Sequence, residues 1–344
     1  MNNQKEKKES TSRNRSSRPR GRAHHARSKT RPKQGHGRGA STKKTTKKTT
    51  RKSTRKRSNN RQNNRRRSMS NPALTHRLTV SDEKSPVLPE ITDEDTVRVI
   101  PMSGVEQIGR NMTIVETKDD IIVFDIGFEF VSPEKGAPGI NYILPNTQYL
   151  EERKHKIRAL VITHGHLDHI GGIPFVMERI GNPPIYTQYL TSLMVLKRQE
   201  EFPHLDPVEM NVVKEGDTFT VGSTTLETFP VTHSIPDAMG VSVKTKYGDI
   251  VITGDVKLTH EDGEVIKEEA KDWKKVGENK NLLLVCDSTN ADRSGWSAPE
   301  GQVFTSLEEI IHNATGRLII GTFASQFERL ISIIKACEDR GKKV

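Results

Sequence analysis

Only two cysteines, Cys286 and Cys337, occur in 344 residues. That is too few for a disulfide framework in a chain of this size, and it excludes a disulfide-stapled secreted module. Both lie in apolar surroundings, which predicts buried structural thiols. No run of about 18 apolar residues occurs, so no transmembrane helix is expected. The first residues lack the apolar segment of a signal peptide, and the expectation is an intracellular, cytoplasmic protein with no membrane partner. Aromatic residues are absent from residues 1–67, and acids nearly so: Glu6 and Glu9 stand against 26 basic side chains. The apolar residues of that stretch are Met1 and three alanines. So little apolar surface cannot offset the entropy of ordering a charged chain, which predicts a disordered basic arm.

What is present divides into two opposite parts. Residues 1–67 carry a balance of +24, and residues 68–344 hold 29 bases and 42 acids, a balance of −13; the formal net charge of +11 is their sum. Basic side chains without aromatics point to electrostatic rather than stacking contact, and the arm is expected to touch RNA or the ribosome. A linker with Pro72, Pro86 and Pro89 follows, so that residues 1–94 read as arm and linker.

From Val97 the pattern changes. The runs "VRVIPMS", "MTIVET" and "DIIVFDIG" read as three strands of a meander, the last ending on Asp125. "IRALVIT" (157–163) reads as a buried strand, followed by a helix over 170–180, a strand "PIYT" and a helix from Tyr189 to about Glu201. Residues 209–255 are mostly strand. Beyond Asn281 the order is strand "LLLVCD", a helix near 303–313, strand "RLIIGTF", and a helix from about Gln326 to Glu338. Sheets with helices packed outside predict a layered α/β architecture. The sequence stops at "GKKV", which resembles the start of another strand and leaves an α/β unit incomplete.

The strongest chemical signal is "THGHLDHIGG", with His164, His166, Asp168 and His169 directly after a buried strand. A single histidine on an apolar face is usually a packed core residue; three imidazoles and a carboxylate so close together are not explained by packing. Imidazole nitrogen and carboxylate oxygen are the ligand set of Zn²⁺, with Mn²⁺ as competitor. His164 and His166, two apart in extended backbone, can face one position, and Asp168 and His169, on the turn into a helix, an adjacent one. Two metal ions are therefore expected. Further donors stand at strand ends: His233 after "LETFPVT", Asp255 in "DIVITGD", where it can bridge two cations, and Asp125, which can orient a histidine by hydrogen bonding. His204, His260 and His312 read as surface residues.

The cluster HxHxDH at His164–His169, the lone His233 well downstream and the "TGD" that ends on Asp255 resemble the metallo-β-lactamase superfamily. The segments "MSGVEQIGRNMTIVE", "THGHLDHIGGIPFV", "VTHSIPDAMG", "TGDVKL" and "VCDSTNAD" resemble, more closely, the ribonuclease J family of the β-CASP branch. This resemblance implies an αββα sandwich, with residues 95–290 as metallo-β-lactamase core and 291–344 as the start of an inserted β-CASP domain. It implies a two-metal centre, usually zinc, that cleaves single-stranded RNA as 5′→3′ exonuclease and as endonuclease in RNA processing and decay. It makes His164, His166 and His233 ligands of one metal and Asp168 and His169 ligands of the other, with Asp255 bridging. Asp125, Asp168 and Asp255 form the expected catalytic set. Asp287 matches the acid that opens the β-CASP signature, with Ser288 and Thr289 beside it as candidate phosphate contacts. "FASQFERL" matches a family stretch at Arg329, a candidate substrate contact, but carries Gln326 and Glu328 where the family has an amide and a histidine. Two metals would supply an activated water at neutral pH, so no Ser or Cys nucleophile is needed. The family chain continues well beyond this point and supplies a late histidine ligand. The sequence is thus expected to be the N-terminal part of a longer parent, itself expected to be a homo-oligomer.

Other functions compete with this one. A thioesterase of the glyoxalase II type is disfavoured by "VCDSTNAD". A DNA-directed β-CASP nuclease stays open, because 2′-OH recognition is not legible in these motifs. A catalytically incomplete fragment that only binds RNA is the remaining alternative.

Overall fold

The computed structural model describes residues 88–131 and 139–344; the expected disorder of residues 1–67 lies outside them. Two sheets form the body. In the first, β1 (Arg98–Ser103), β2 (Met112–Glu116) and β3 (Ile121–Phe124) run antiparallel as a meander. Three parallel strands extend it, β6 (Ile157–Val161), β7 (Ile185–Thr187) and β8 (Met210–Val212), giving the order β1-β2-β3-β6-β7-β8. The second has the order β15-β12-β11-β10-β9, built from β9 (Thr218–Val221), β10 (Thr224–Pro230), β11 (Met239–Val243), β12 (Asp249–Ile252) and β15 (Asn281–Val285). Short ribbons β4 (Glu129–Phe130) with β5 (Tyr142–Ile143), and β13 (His260–Glu261) with β14 (Glu264–Val265), stand apart from both.

The central strands are apolar on both faces, and their alternation sorts them into two cores. Ile114, Ile121, Val123 and Leu160 face helices; Val115, Ile122, Phe124, Ala159 and Val161 face the second sheet, where Leu226, Met239, Val241 and Ile252 meet them. With a side-chain period of two, a one-residue slip would exchange these sets, so the burial of both faces pins the register. The helical layer over the first sheet contains α1 (Gln148–Glu151), α2 (Leu167–Ile170), α3 (Ile173–Val176) and α4 (Tyr189–Gln199). Over the second sheet lies α5 (Lys267–Gly277), whose Val276 and Trp273 pack on Phe229 and Val251. The order of layers is helix, sheet, sheet, helix. A further pair, α6 (Glu300–Asn313) and α7 (Phe327–Glu338), shares a small core of Ile311, Ile333, Ala336 and Cys337. Among the described residues no helix is long and apolar enough to cross a membrane.

Several expectations are corrected. The helix expected over 170–180 is broken into α2, α3 and a 3-10 turn. Gly171 and Gly172 press on Phe128 and Ile126, and Pro174 can only open a new turn, since it has no N–H to continue the old one. "RLIIGTF" forms no strand, and Leu318, Ile319 and Phe323 are exposed, because no described strand lies alongside to pair with it. Cys286 is exposed, not buried, because among the described residues β15 pairs only with β12 and forms the edge of its sheet; Cys337 is buried. His260, read as a surface residue, is buried: its Nε2 lies 2.8 Å from Ser297 O and its ring packs on Trp296. His204 and His312 are exposed.

Candidate metal centre

The donors stand at the carboxyl ends of strands from both sheets. β3 and β6 are parallel neighbours, so Asp125 and His164 emerge side by side. His166 is the N-cap of α2, and Asp168 and His169 occupy its first turn. Gly127 lies so close to this turn that a Cβ there would stand 1.5 Å from Asp168 O. His233 follows β10, and Asp255 follows β12 across a turn in which Gly254 takes φ +61°. A Cβ on Gly254 would meet the Thr163 side chain at 2.7 Å, so this close approach of the two sheets requires glycine.

Two groups of donors result, one of His164, His166, His233 and Asp255 and one of Asp168, His169 and Asp255, with the donor atoms of each within 4.8 Å of one another. Asp255 belongs to both. Its Oδ1 lies 3.2 Å from His169 Nε2, and its Oδ2 lies 3.9 Å from His164 Nε2 and 3.8 Å from His233 Nε2.

Hydrogen bonds beneath the donors select the tautomer that a cation needs. Asp125, buried with φ +60°, accepts Thr163 N–H at 2.8 Å on Oδ1 and the Thr163 hydroxyl at 2.9 Å on Oδ2. His169 Nδ1 lies 2.8 Å from Asp125 Oδ2, and His164 Nδ1 lies 3.1 Å from the Thr163 hydroxyl. Because that hydroxyl gives its one hydrogen to Asp125, it accepts from His164 Nδ1–H, and both rings turn Nε2 toward the centre; the His164 lone pair is free there, and that of His169 becomes so when a cation displaces its Nε2 proton. His166 Nδ1 lies 3.0 Å from His164 Nε2 and 3.2 Å from His233 Nε2. One ring proton cannot serve both contacts, whereas a cation satisfies all three nitrogens. The donor set therefore fits a zinc-type ion.

The electrostatics agree. Burial, then the charges of the neighbouring imidazoles, pushes the pKa of His164 well below 6.5. Burial likewise lowers His166, and takes His233 to about 4 despite the opposing charge of Asp255. These rings are neutral, the form that binds metal. Burial also disfavours charge on His169, but Asp125 and Asp255 at its two nitrogens outweigh it and hold the pKa well above 6.5. A cation between His169 and Asp255 would replace that proton. Burial would raise the Asp255 carboxyl; the hydrogen bond and charge of His169, with His233 and His166, bring it below the ordinary value.

A cleft of about 510 Å³ opens from Asp168, His169 and Asp255 and is also lined by Asp287, Ser288 and Thr289. Asp287 is occupied with backbone, accepting Val256 N–H at 3.2 Å and Thr289 N–H at 2.7 Å; Ser288 and Thr289 are exposed. Arg329 is not in this cleft. It lines a separate cavity of about 170 Å³ beside His233, where Glu300 accepts from Arg329 Nη2 at 2.9 Å and from Lys257 Nζ at 2.8 Å. Thr163 and Asn111 are site residues that sequence reasoning missed. Thr163 sits inside the histidine motif, and the need of a buried imidazole for a partner at its other nitrogen is the signal that points to it.

Residues 106–296, more than half of the chain, match the family described as the Metallo-beta-lactamase superfamily. The chain belongs to that superfamily. Within the superfamily it groups with the ribonuclease J family. It is 41% identical over 260 residues to Ribonuclease J of Thermus thermophilus and 33% identical over 258 residues to Ribonuclease J2 of Bacillus subtilis; each match covers 73% of this chain and 44% of the relative. The chain thus spans less than half the length of these curated relatives. A crystal structure of a protein of unknown function from Enterococcus faecalis is similar at the level of fold, with a TM-score of 0.51 and 22% identity, over 69% of this chain and 62% of that one.

Proposed function

We propose that this superfamily member is the metal-binding part of a ribonuclease J-like phosphodiesterase that hydrolyses single-stranded RNA, as a 5′→3′ exonuclease and as an endonuclease, in the cytoplasm. The observation that carries the reading is the sharing of Asp255 between two donor groups at the head of one cleft. His164, His166, His233 and Asp255 would hold one ion and Asp168, His169 and Asp255 the other, zinc or manganese. When bound, such a pair of ions supplies a water nucleophile at neutral pH and neutralises charge developing on the phosphate. The chain's own residues do the rest. Asp125 and Thr163 keep two imidazoles in register, and the buried body beneath excludes water from their far nitrogens. Exposed hydroxyls of Ser288 and Thr289 on the cleft wall can donate to a phosphate oxygen. The relatives' printed names support RNA as substrate.

The test combines metal analysis with cleavage of labelled single strands of matched RNA and DNA sequence. Two ions per chain are expected, one or none in Asp255→Ala, with RNA cut in preference to DNA and cleavage abolished by chelation. Absence of metal uptake overturns the metal centre, equal cutting of DNA overturns the RNA assignment, and a loaded chain that cuts neither overturns hydrolysis by this chain.

A further inference from the structure

Asn111 immediately precedes β2, and its backbone and side-chain N–H groups are directed at the distant turn that carries Asp168. Its backbone N–H donates to Asp168 O at 3.0 Å, and its carbonyl accepts Gly127 N–H at 3.0 Å. Its side-chain Nδ2 donates to Asp168 O and to Asp168 Oδ2, each at 3.2 Å, and lies 2.9 Å from His169 Nε2.

The two ends of an amide are alike in shape, and partners decide which end faces where. Here two of the three partners are oxygens that carry no hydrogen, so the NH₂ end must face them. The third contact, to His169 Nε2, takes its sense from the protonation of that ring, and the two oxygens settle the assignment without it. Oδ1 points away, toward Gly104, where a Cβ would stand 2.6 Å from it. Asn111 is therefore a donor to this turn and not an oxygen ligand.

We infer that Asn111 is a positioning residue for the cation group of Asp168, His169 and Asp255, an inference that rests on the metal-binding reading above. Asp168 is the most exposed donor of that group together with Asp255, its side chain 29% accessible. A carboxylate at a helix start, free to rotate, would spend much of its time facing solvent. The Nδ2–H bond to Oδ2 fixes that rotation, while the paired backbone bond holds the turn on which Asp168 stands. Asp125 orients His169 from beneath, and Asn111 orients Asp168 from the side. In the other cation group Thr163 meets His164, its one fully buried donor.

This division makes the inference testable without turnover. Metal-free wild-type chain, Asn111→Ala and Asn111→Ser would be titrated with Zn²⁺ against a chromophoric chelator, resolving two stepwise affinities, with thermal melting of each metal-free chain alongside. Loss of a side chain that holds a metal ligand in place typically weakens binding about 10- to 100-fold. That loss is expected for one of the two affinities of Asn111→Ala, with the other unchanged. Asn111→Ser, which keeps a shorter donor, is expected to fall between. Two unchanged affinities in Asn111→Ala overturn the inference, and so does an equal fall of both, which would mark a general structural role. Uptake of only one ion by the wild-type chain overturns the underlying reading as well.

Discussion

Glu116 shows how a single side chain ties the first sheet to its edge. It is fully buried at the end of β2, with Lys156 Nζ at 2.9 Å, Arg98 Nη1 at 3.1 Å and the Tyr149 hydroxyl also bonded to it. Burial alone would raise its pKa; hydrogen bonds from Tyr149 and Lys156 and the charges of Lys156 and Arg98 more than offset this and hold it below 4.5. A carboxyl with a lowered folded pKa contributes stability that is fully present above its unfolded value and is lost as pH falls through the folded one. Unfolding of the wild type by denaturant should therefore show stability falling as pH drops below 4.5. Glu116→Gln should flatten that dependence. At neutral pH it should cost about 3–5 kcal/mol, because buried Lys156 is left without its counter-charge. An unaltered pH slope in the variant would assign the acid sensitivity to other carboxylates. At this same scale much of the site was legible, and for a physical reason. His164, Asp125 and Asp255 end continuous apolar runs, and a run that must be buried delivers its last polar residue to a fixed place. Asn111 was not legible, because its role depends on Asp168 and His169 arriving beside it from a distant part of the chain.

The elements differ in how well they are held. β2, β3 and β6 are covered on both faces, while α6 and α7 share only four buried side chains and expose Ile310, Ile331 and Ile334. Local opening costs least where few apolar contacts are lost. Hydrogen exchange should find amides of α6 and α7 opening well below the global unfolding free energy, with β3 and β6 exchanging only through global unfolding. Equal protection of both would show that the helix pair folds with the body. The same contrast explains what could and could not be read from pattern. Strands buried on both faces announce themselves as unbroken Val/Ile runs. "LLLVC" has the same look, yet Leu282 and Leu284 are exposed in an edge strand, which is why Cys286 was misplaced. α5 carries no apolar stripe to reveal it, because every residue in it except Trp273 and Val276 is Lys, Glu, Asp, Ala or Gly, and those two alone carry its apolar contact with the sheet.

For the whole molecule, the opposed charges of residues 1–67 and of the remainder separate attraction from chemistry. An acidic body gains little from a polyanion, so if the chain binds RNA as proposed, the accompanying counterion release should come from residues 1–67. If these engage ~6–10 phosphates, affinity should fall about 10³- to 10⁵-fold between roughly 50 and 200 mM salt. Removing residues 1–67 should weaken RNA binding and flatten that slope while leaving metal content unchanged. A slope that survives the deletion would locate the phosphate contacts on the body.

The sharing of Asp255 also sets how unevenly the centre tolerates inherited change. Loss of His233 leaves the donors Asp168, His169 and Asp255 intact, and loss of Asp168 leaves the other four. Loss of Asp255 removes a donor from both groups in one step, leaving three histidines in one and two donors in the other. Of the six donors, it is the one whose codon a lineage cannot alter without weakening both groups together.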